Sequence, residues 1–271
     1  MVVADLHAHT TVSDGRLTLS EVPDAARAGG VDVVALTDHD RYHPGLDRPV
    51  AVIDGITVVR GIELRVETDC GRVDVLGYGL RETDALAAEC DRIQRDRMER
   101  GRKIIECVEA ETGVDLGIDP APGLGRPDIA RAVDASDAPY DYGEAFDELI
   151  GSDCPCYVSR DVPSIETGIE LLQDACEVVS LAHPFRYDDT AAALDLLGRY
   201  DFDAVERFYP YDRAEQPDPE PVERAVAEHD LLRTGGTDAH ETTLGVAGLE
   251  REDWERLAER LSVAESVEER V

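Results

Sequence analysis

Histidines and carboxylates with a repeated spacing are the residues of this sequence that could carry out chemistry. His7 and His9 stand two positions apart with Asp5 before them, and Asp238 and His240 repeat that spacing near the other end. Residues i and i+2 of a β-strand face the same side, so each pair would point together. Two imidazoles, or an imidazole and a carboxylate, form half of a divalent-metal site. The spacing therefore predicts two such half-sites.

Apolar runs of strand length precede most of the histidines. Five of the seven fall at or just beyond the C-terminal end of a predicted strand, namely His7, His9, His39, His183 and His240. Glu63 follows another such run, and Asp14 lies in the turn after the first. In parallel α/β barrels these strand ends converge on one face. A buried cluster of this kind would be costly unless metal ions neutralised it. The alternative is a set of unrelated polar residues on the surface.

The elements that must position these residues alternate along the chain. Strands are predicted at 2–6, 33–36, 57–60, 73–78, 178–182, 204–207 and 231–234, and helices between them at 18–28, 164–176 and 221–229. Such alternation is typical of an α/β fold with a largely parallel sheet, and seven units suit a closed or nearly closed barrel. A solvated amphipathic helix is predicted at 251–269.

One stretch breaks this alternation. Residues 84–157 contain a long charged helix (86–111), a loop rich in Gly and Pro, and further helical segments at 129–133 and 142–150. This pattern predicts a helical insertion that caps the barrel mouth. The barrel itself would then consist of residues 1–83 and 158–271.

The charge is extreme, with 60 acidic residues, 27 basic residues and a net charge of -33. Lys103 is the only lysine. This balance resembles the proteins of an extreme halophile, although an ordinary acidic mesophilic protein is the alternative. At molar salt the Debye length falls to about 3 Å, so the charge does not exclude a nucleic-acid substrate.

Targeting and redox signals are weak. No basic leader precedes the first apolar run, and no window approaches the ~18 apolar residues of a membrane span. We therefore expect a soluble, cytoplasmic protein with no membrane association and no obligate protein partner. The six cysteines lack a paired metal spacing, and in a cytosolic chain we expect reduced, mostly buried thiols.

The motifs together resemble the PHP (polymerase and histidinol phosphatase) family. The matching segments are DLHAHT (5–10), SDG (13–15), LTDHD (36–40), GIE (61–63), LGYG (76–79), AHP (182–184) and GGTDAH (235–240). The resemblance implies a distorted (β/α)7 barrel that holds two or three divalent ions, commonly manganese, zinc, iron or magnesium. The candidate ligands are His7, His9, Asp14, His39, Glu63, His183, Asp238 and His240.

The predicted insertion resembles that of one branch of the PHP family. GRPDIARA (125–132) and EAFD (144–147) look like the helical insert of nucleoside 3′,5′-bisphosphate phosphatases and 5′→3′ oligoribonucleases, where the insert helps to close the site over the substrate. Arg126 is then a candidate substrate-binding residue, because a guanidinium group matches phosphate oxygens bidentately. Arg160 and Arg186 are further candidates. Surface solvation is the alternative for all three.

Two positions depart from the family pattern. Asp74 stands where the family usually has a histidine before Leu-Gly-Tyr-Gly, and Asp128 replaces the histidine of Gly-Arg-Pro-His. Asp74 either binds a metal and favours harder ions such as Mn²⁺ or Mg²⁺, or leaves one metal position empty. Asp128 removes an imidazole that could contact the substrate.

Three functional hypotheses follow. The first is a phosphoester hydrolase that uses a metal-bound hydroxide on a nucleotide 3′-phosphate or the 5′ end of a short RNA. Its catalytic residues would be Asp238 and the candidate proton donors His183 and His240. The second keeps the chemistry but takes a metabolite such as histidinol phosphate. The third is a non-catalytic, metal-stabilised binding module.

Overall fold

The computed structural model describes residues 1–121 and 124–261. The chain forms two compact units, one made of Met1–Ala87 with Pro163–Val271 and the other of Ala88–Val162. We call them the sheet unit and the helical unit. The predicted roles of barrel and cap, with boundaries at 83/84 and 157/158, stay predictions. Within the described ranges, no helix has both the length and the apolar character needed to span a membrane.

All nine described strands belong to one mixed sheet of the sheet unit. They are β1 (Val2–Ala8), β2 (Val33–Leu36), β3 (Val50–Ile53), β4 (Ile56–Thr68), β5 (Gly71–Tyr78), β6 (Val178–Leu181), β7 (Ala204–Phe208), β8 (Leu232–Gly235) and β9 (Leu249–Glu250). The strand order is β8-β7-β6-β5-β4-β2-β1-β9, with β3 paired to β4. Each of the seven predicted strands therefore has a counterpart, while β3 and β9 were not predicted.

The expectation of a largely parallel sheet is only partly correct. β1, β2 and β4 run parallel, as do β6, β7 and β8, but β5 is antiparallel to both β4 and β6. The reason is local: only Asp69 and Cys70 separate β4 from β5, and a two-residue connection can join only antiparallel strands. β3 pairs with β4 through a similar turn at Asp54-Gly55, where both residues have positive φ.

The sheet curls until its two ends almost meet. Ala8 at the end of β1 forms a parallel bridge with Ala239, which lies just beyond β8. His9 N donates to Ala239 O at 2.9 Å, and Ala239 N donates to His7 O at 3.2 Å. The result is a nearly closed, barrel-like sheet in which the C-terminal ends of β1 and β8 are adjacent.

Helices connect most of the parallel strands. In the sheet unit they are α1 (Val22–Gly29), α5 (Ile165–Ala175), a 3-10 turn (Pro184–Arg186), α6 (Thr190–Arg199), α7 (Glu220–His229) and α8 (Arg251–Ala258). α1 begins four residues later than the predicted helix at 18–28, because Pro23 occupies its first turn and Thr18 instead hydrogen-bonds Glu21. The final residues of the predicted helix at 251–269 lie outside the described part of the chain.

The helical unit has its own apolar core. The helices of this unit are α2 (Asp84–Thr112), of which all but the first four residues belong to it, α3 (Arg126–Asp134) and α4 (Tyr142–Glu144), followed by a π-helical turn (Ala145–Ile150). Ile104, Ile129 and Ile150 pack at its centre. Cys107 on α2 is joined to Cys156 by a disulfide, so the expectation that all six cysteines are reduced is not met. Cys70, Cys90, Cys154 and Cys176 remain as thiols.

Candidate metal centre

β1 delivers two buried imidazoles to the curled end of the sheet. His7 and His9 alternate with Leu6 and Ala8, and both side chains are fully buried, with ring centroids 5.2 Å apart. Gly236, which follows β8, passes so close that a Cβ at this position would lie 2.2 Å from His7 N. Only glycine fits there, and this close approach brings the loop carrying residues 238–240 against β1.

All nine residues considered as metal ligands converge there. Their ligand atoms form three overlapping groups, each with its atoms within 4.8 Å of one another: His9, Asp14, His39 and His240; His7, His9, Glu63 and Asp238; and Glu63, Asp74 and His183. Because Glu63 and His9 each belong to two groups, the three candidate sites share ligands. Asp74, the departure from the family pattern, lies in the third.

Glu63 stands at the centre of these groups. Its Oε2 lies 2.7 Å from His39 Nδ1, and its Oε1 lies 3.0 Å from His183 Nε2 and 3.4 Å from His7 Nε2. Asp238 plays a similar part opposite, with Oδ1 3.0 Å from His9 Nε2. Two carboxylates thus stand between imidazoles from several strand ends, which is the donor chemistry expected of a multinuclear divalent-metal site.

The backbone is strained at two of the converging residues. Asp238 has φ of 53° and His183 has φ of 26°, values in the left-handed region that residues other than glycine rarely adopt. Such conformations cost on the order of 1–3 kcal/mol each and cluster at functional sites. Here they turn both side chains inward at the ends of β8 and β6.

A buried carboxylate behind the centre orients two of its members. Glu206, fully buried on β7, places Oε1 3.0 Å from His7 Nδ1 and accepts a 2.8 Å hydrogen bond from His183 N through Oε2. A carboxylate acceptor at Nδ1 leaves the Nε2 lone pair of His7 facing the centre.

No protein-family model matches the chain, but individual proteins are similar to it. It is 33% identical over 197 residues to the 3′,5′-nucleoside bisphosphate phosphatase of Chromobacterium violaceum, covering 69% of each chain. The chain belongs to the PHP family of metal-dependent phosphoesterases. It is accordingly a phosphoester hydrolase.

Other family members extend the comparison. A 5′-3′ exoribonuclease of Haemophilus influenzae is 29% identical over 196 residues, covering 69% of this chain and 70% of that one. A phosphoribosyl 1,2-cyclic phosphate 1,2-diphosphodiesterase of Eggerthella lenta is 29% identical over 253 residues, covering 88% and 94%. A solved structure from Bifidobacterium adolescentis, described as a metal-dependent phosphoesterase, shares the fold with a TM-score of 0.74, 22% identity and 96% coverage of both chains.

The buried atoms of this PHP centre fit metal ions. His7 Nε2 and His9 Nδ1 are buried and make no hydrogen bond within the described ranges, an arrangement that is costly in a closed polar cluster. Both belong to groups in which imidazole and carboxylate atoms lie together. Divalent ions would satisfy the lone pairs and neutralise the carboxylates, so the residues fit the cofactors that the family uses.

Electrostatics at the centre reflect the crowding of charge. Burial lowers the pKa of His39, but the carboxylates of Glu63 and Asp14 outweigh it and raise the pKa to about 9. Burial of Asp14 is likewise outweighed by His240, His39 and His9, which hold its pKa well below the usual range. For His9 burial prevails, reinforced by the charge of His39, and its pKa is lowered.

Two aspartates of the sequence motifs, Asp5 and Asp38, hydrogen-bond neighbouring loops and belong to none of the three ligand groups. Asp38 accepts hydrogen bonds from the backbone and hydroxyl groups of Thr10 and Ser13, at 2.6–3.2 Å. Asp5 accepts in the same way from Thr237 and also from Gly245 N. Both carboxylates fix the loops that carry the ligands.

Arg126 and Arg160, the predicted substrate-binding residues, belong to the helical unit. The Arg126 guanidinium donates to Ile150 O at 3.3 Å and lies 5.7 Å from the centre of the Tyr157 ring. Burial, then the charges of Arg160 and Arg126, lower the pKa of Arg100 to about 10. Contact of these residues with substrate stays a prediction.

Asp128 accepts from Gly125 N and Arg131 at the start of α3, so it stabilises that helix.

Two residues next to the centre escaped the sequence reasoning. Tyr209 donates a 2.8 Å hydrogen bond to Asp238 Oδ2, the same atom that Arg186 contacts at 2.9 Å. Arg65 contacts Asp74 through two 2.6 Å hydrogen bonds. Tyr209 lies two residues beyond the strand predicted at 204–207, near a strand end as the histidines are, and that position was the available signal. Arg65 gave none, because its partner depends on the β4–β5 register.

Proposed function

We propose that this enzyme hydrolyses nucleotide phosphoesters, removing the 3′-phosphate of nucleoside 3′,5′-bisphosphates and shortening small RNAs from the 5′ end. The observation that carries the proposal is the convergence of nine imidazole and carboxylate ligands into three groups that share Glu63 and His9. The named activities of the Chromobacterium and Haemophilus relatives support the substrate class.

The residues divide into holding and orienting roles. The three groups would hold two or three divalent ions. When bound, such ions activate water and neutralise charge on the phosphoryl oxygens. Asp238 is kept in place by Tyr209 and Arg186, and Glu206 fixes the ring of His7. In both proposed substrates water adds to phosphorus, the bond from phosphorus to the 3′ oxygen breaks, and that oxygen takes up a proton.

His183 and His240 are the candidates to supply that proton. His183 is buried, with 2% of its side chain exposed, whereas 39% of the His240 side chain is exposed. We assign the proton transfer to His240, because its Nε2 can exchange protons with solvent after each turnover. In that role His240 is not a ligand, and His9, Asp14 and His39 would hold the ion of the first group. His183 would then serve chiefly as a ligand beside Glu63.

Manganese is the ion we propose first. Asp74 makes the third group oxygen-rich, with the two carboxylates of Glu63 and Asp74 and the single imidazole of His183. Oxygen-rich sets favour harder ions such as Mn²⁺ over soft ones. Elemental analysis of protein purified without added metal tests this proposal: manganese in excess over zinc and iron supports it, and stoichiometric zinc contradicts it.

Working conditions are part of the proposal. We infer a cytoplasmic enzyme of a halophile, acting on small nucleotides or short oligonucleotides without an obligate protein partner. The 60 acidic and 27 basic residues support this inference. Melting temperature and activity should both rise between 0.1 M and molar KCl as repulsion is screened. Loss of both with added salt would contradict it.

A substrate panel tests the proposed activity directly. Purified protein would be incubated with Mn²⁺ or with a chelator, using adenosine 3′,5′-bisphosphate, a 5′-phosphorylated oligoribonucleotide, histidinol phosphate and a ribose 1,2-cyclic phosphate ester. We expect metal-stimulated turnover of the first two to exceed that of the others. The cyclic ester is included because the Eggerthella relative aligns over 88% of this chain. Preferential turnover of either of the last two compounds would overturn the proposed substrate class.

A further inference from the structure

Two adjoining cavities open beside the metal centre within the sheet unit. The first, with a volume of about 510 Å³, is bounded by Asp238 and His240 on one side and by Arg186 and Arg213 on the other. Tyr209, Pro210 and Tyr211 form its far wall. The first cavity therefore begins at two candidate ligands and leads away from them.

The second cavity continues behind the same wall. Its volume is about 520 Å³, and Tyr209, Pro210 and Tyr211 line it as well. Aromatic and apolar side chains dominate its other walls, among them Phe185, Phe208 and Val246. Val246 is 60% exposed, one of the few large apolar side chains left open in the described ranges. A chamber lined by charged and polar groups thus shares one wall with an aromatic chamber.

The aromatic wall is held in a fixed arrangement. The rings of Tyr209 and Tyr211 lie 4.6 Å apart, and Phe185 meets Tyr211 edge-on at 5.5 Å. Phe185 N donates to Tyr211 Oη at 3.3 Å, while Arg213 donates to Phe185 O at 2.7 Å. Interlocking contacts of this kind preorganise a surface for a planar ligand.

Two guanidinium groups and the carboxylates of Asp212 and Asp238 line the polar chamber of a protein whose net charge is -33. About half of the Arg186 side chain is exposed even though it contacts Asp238. Arg213 uses one nitrogen on the Phe185 carbonyl and also lies 5.9 Å from the centre of the Tyr211 ring. Positive charge followed by aromatic rings is how proteins bind a single nucleic-acid strand, by its backbone and its bases.

We propose that these cavities bind the second nucleotide of an oligoribonucleotide whose first phosphodiester lies at the metal centre. This inference rests on the proposed function. A 3′,5′-bisphosphate ends at the phosphorus attacked, whereas in an oligonucleotide the same phosphorus also carries the 5′ oxygen of the next nucleoside. Hydrolysis leaves the phosphate on that nucleoside. The next sugar would lie beside Arg186 and Arg213, and its base against Phe185 and the tyrosines.

The location favours a nucleotide over other occupants. The polar chamber shares Asp238 and His240 with the metal centre, so a ligand there is continuous with the phosphoryl group. An apolar peptide would offer the two guanidinium groups no anionic oxygen. A mononucleotide alone would leave the aromatic chamber unused.

The experiment compares two substrates in the same full-length, manganese-loaded protein. Adenosine 3′,5′-bisphosphate reports the metal centre, and 5′-phosphorylated diadenylate reports the centre plus the cavities. The variants are Arg213→Gln, Phe185→Leu and Val246→Glu. Val246→Gln is the neutral control of the same shape, and Arg224→Gln is a control on α7, where Arg224 pairs with Glu220 outside both cavities.

We expect kcat/KM for the dinucleotide, divided by that for the bisphosphate, to fall about tenfold in Arg213→Gln and Phe185→Leu, the scale of losing one base–aromatic or phosphate contact. Val246→Glu should lower the ratio by repelling the anionic strand, and both controls should keep it. Because Val246 is exposed, that variant tests the proposal even if Phe185→Leu fails to fold. Ratios within twofold of the parent in all three variants overturn the proposal, as does a parent that cleaves only the bisphosphate. A parent that cleaves neither substrate overturns the proposed function as well.

Discussion

Thr237 donates two hydrogen bonds to Asp5, a residue 232 positions earlier in the chain: its backbone N lies 2.9 Å from Oδ1 and its hydroxyl 2.5 Å from Oδ2. Gly245 N donates a third hydrogen bond to Asp5 at 2.8 Å. We call these three hydrogen bonds to Asp5 the clamp. The clamp joins the first strand to the loop that carries Asp238 and His240, and so brings together residues of the metal centre from opposite ends of the sequence.

Replacing Asp5 by Ala should destabilise the protein and loosen metal binding together. Hydrogen bonds to a charged group contribute about 1.5–3 kcal/mol each, so loss of this acceptor should lower the free energy of unfolding by several kcal/mol. Urea unfolding at neutral pH measures the effect, and metal titration measures affinity. Asp32→Ala, at an exposed position before β2, is the matched control. Equal stability of the two variants would show that the clamp is unimportant.

Glu63→Gln should remove more bound metal than a conservative change at a ligand of a single group, because Glu63 contributes to two of the three ligand groups. Mutation of a group that only hydrogen-bonds a metal ligand already lowers metal affinity or activity about 10–100-fold. We therefore expect a loss of at least 100-fold in turnover and fewer ions per chain by elemental analysis. Glu67→Gln, further along β4, serves as the control. Full metal content in Glu63→Gln would contradict the shared-ligand geometry.

Arg65 contacts the carboxylate that Asp74 would offer to a metal ion. Its two 2.6 Å hydrogen bonds hold the pKa of Asp74, otherwise raised by burial, below the usual range. In Arg65→Met the buried carboxylate loses its cation, so the metal-free protein should melt at a lower temperature. Added Mn²⁺ should then raise the melting temperature more than in the parent. Scanning calorimetry with and without metal checks this, and an unchanged metal-induced shift would mean that no ion uses Asp74.

Metal binding and metal-free stability should respond to pH in opposite directions. The pKa of His39 rises from 6.5 to about 9 because Glu63 and Asp14 outweigh burial. Its contribution to metal-free stability is therefore complete below pH 6.5 and is lost as pH rises through 9. The pKa of His7 and that of His240 are raised too, by Glu206 and by Asp14 respectively against the opposing effect of burial.

Metal ions need the deprotonated imidazole, so their affinity should increase over the same range. Melting curves and metal titrations at pH 6, 7.5 and 9 measure both trends. His39→Asn should flatten them, whereas His229→Asn, an exposed position on α7, should not. If metal-free stability and metal affinity changed with pH in the same direction, the role given to His39 would be wrong.

The Cys107–Cys156 disulfide should stabilise the helical unit. It closes a loop of 49 residues, and bridges of this kind typically contribute about 2–4 kcal/mol. Cys107→Ser with Cys156→Ser should lower the free energy of unfolding by that amount and so shift the unfolding midpoint down, and a reductant should reproduce the effect in the parent. The exposed free thiol Cys70 provides the control substitution to serine. Equal midpoints with and without reductant would show that the bridge contributes no stability.

The sequence alone predicted which residues converge at the candidate metal centre. His7, His9 and Asp238 lie at or just beyond strand ends, as apolar periodicity, which is local information, predicts. For the same reason six of the seven predicted strands have counterparts within two residues of the expected bounds. The exception is β4, predicted at 57–60, which continues to Thr68 and so creates the two-residue turn that makes β5 antiparallel. Glu63 was predicted just after a strand but lies inside β4, because that strand continues to Thr68.

Only the tertiary structure decided how those residues are used. Asp5 and Asp38 have the same chemistry as the ligands, yet their neighbours from distant loops make them clamps. Asp74 faces Arg65 only because of the strand register, and Cys107 meets Cys156 only through packing in the helical unit. Each role depends on which groups lie within about 3 Å, and for residues far apart in sequence that proximity is fixed by the folded chain as a whole.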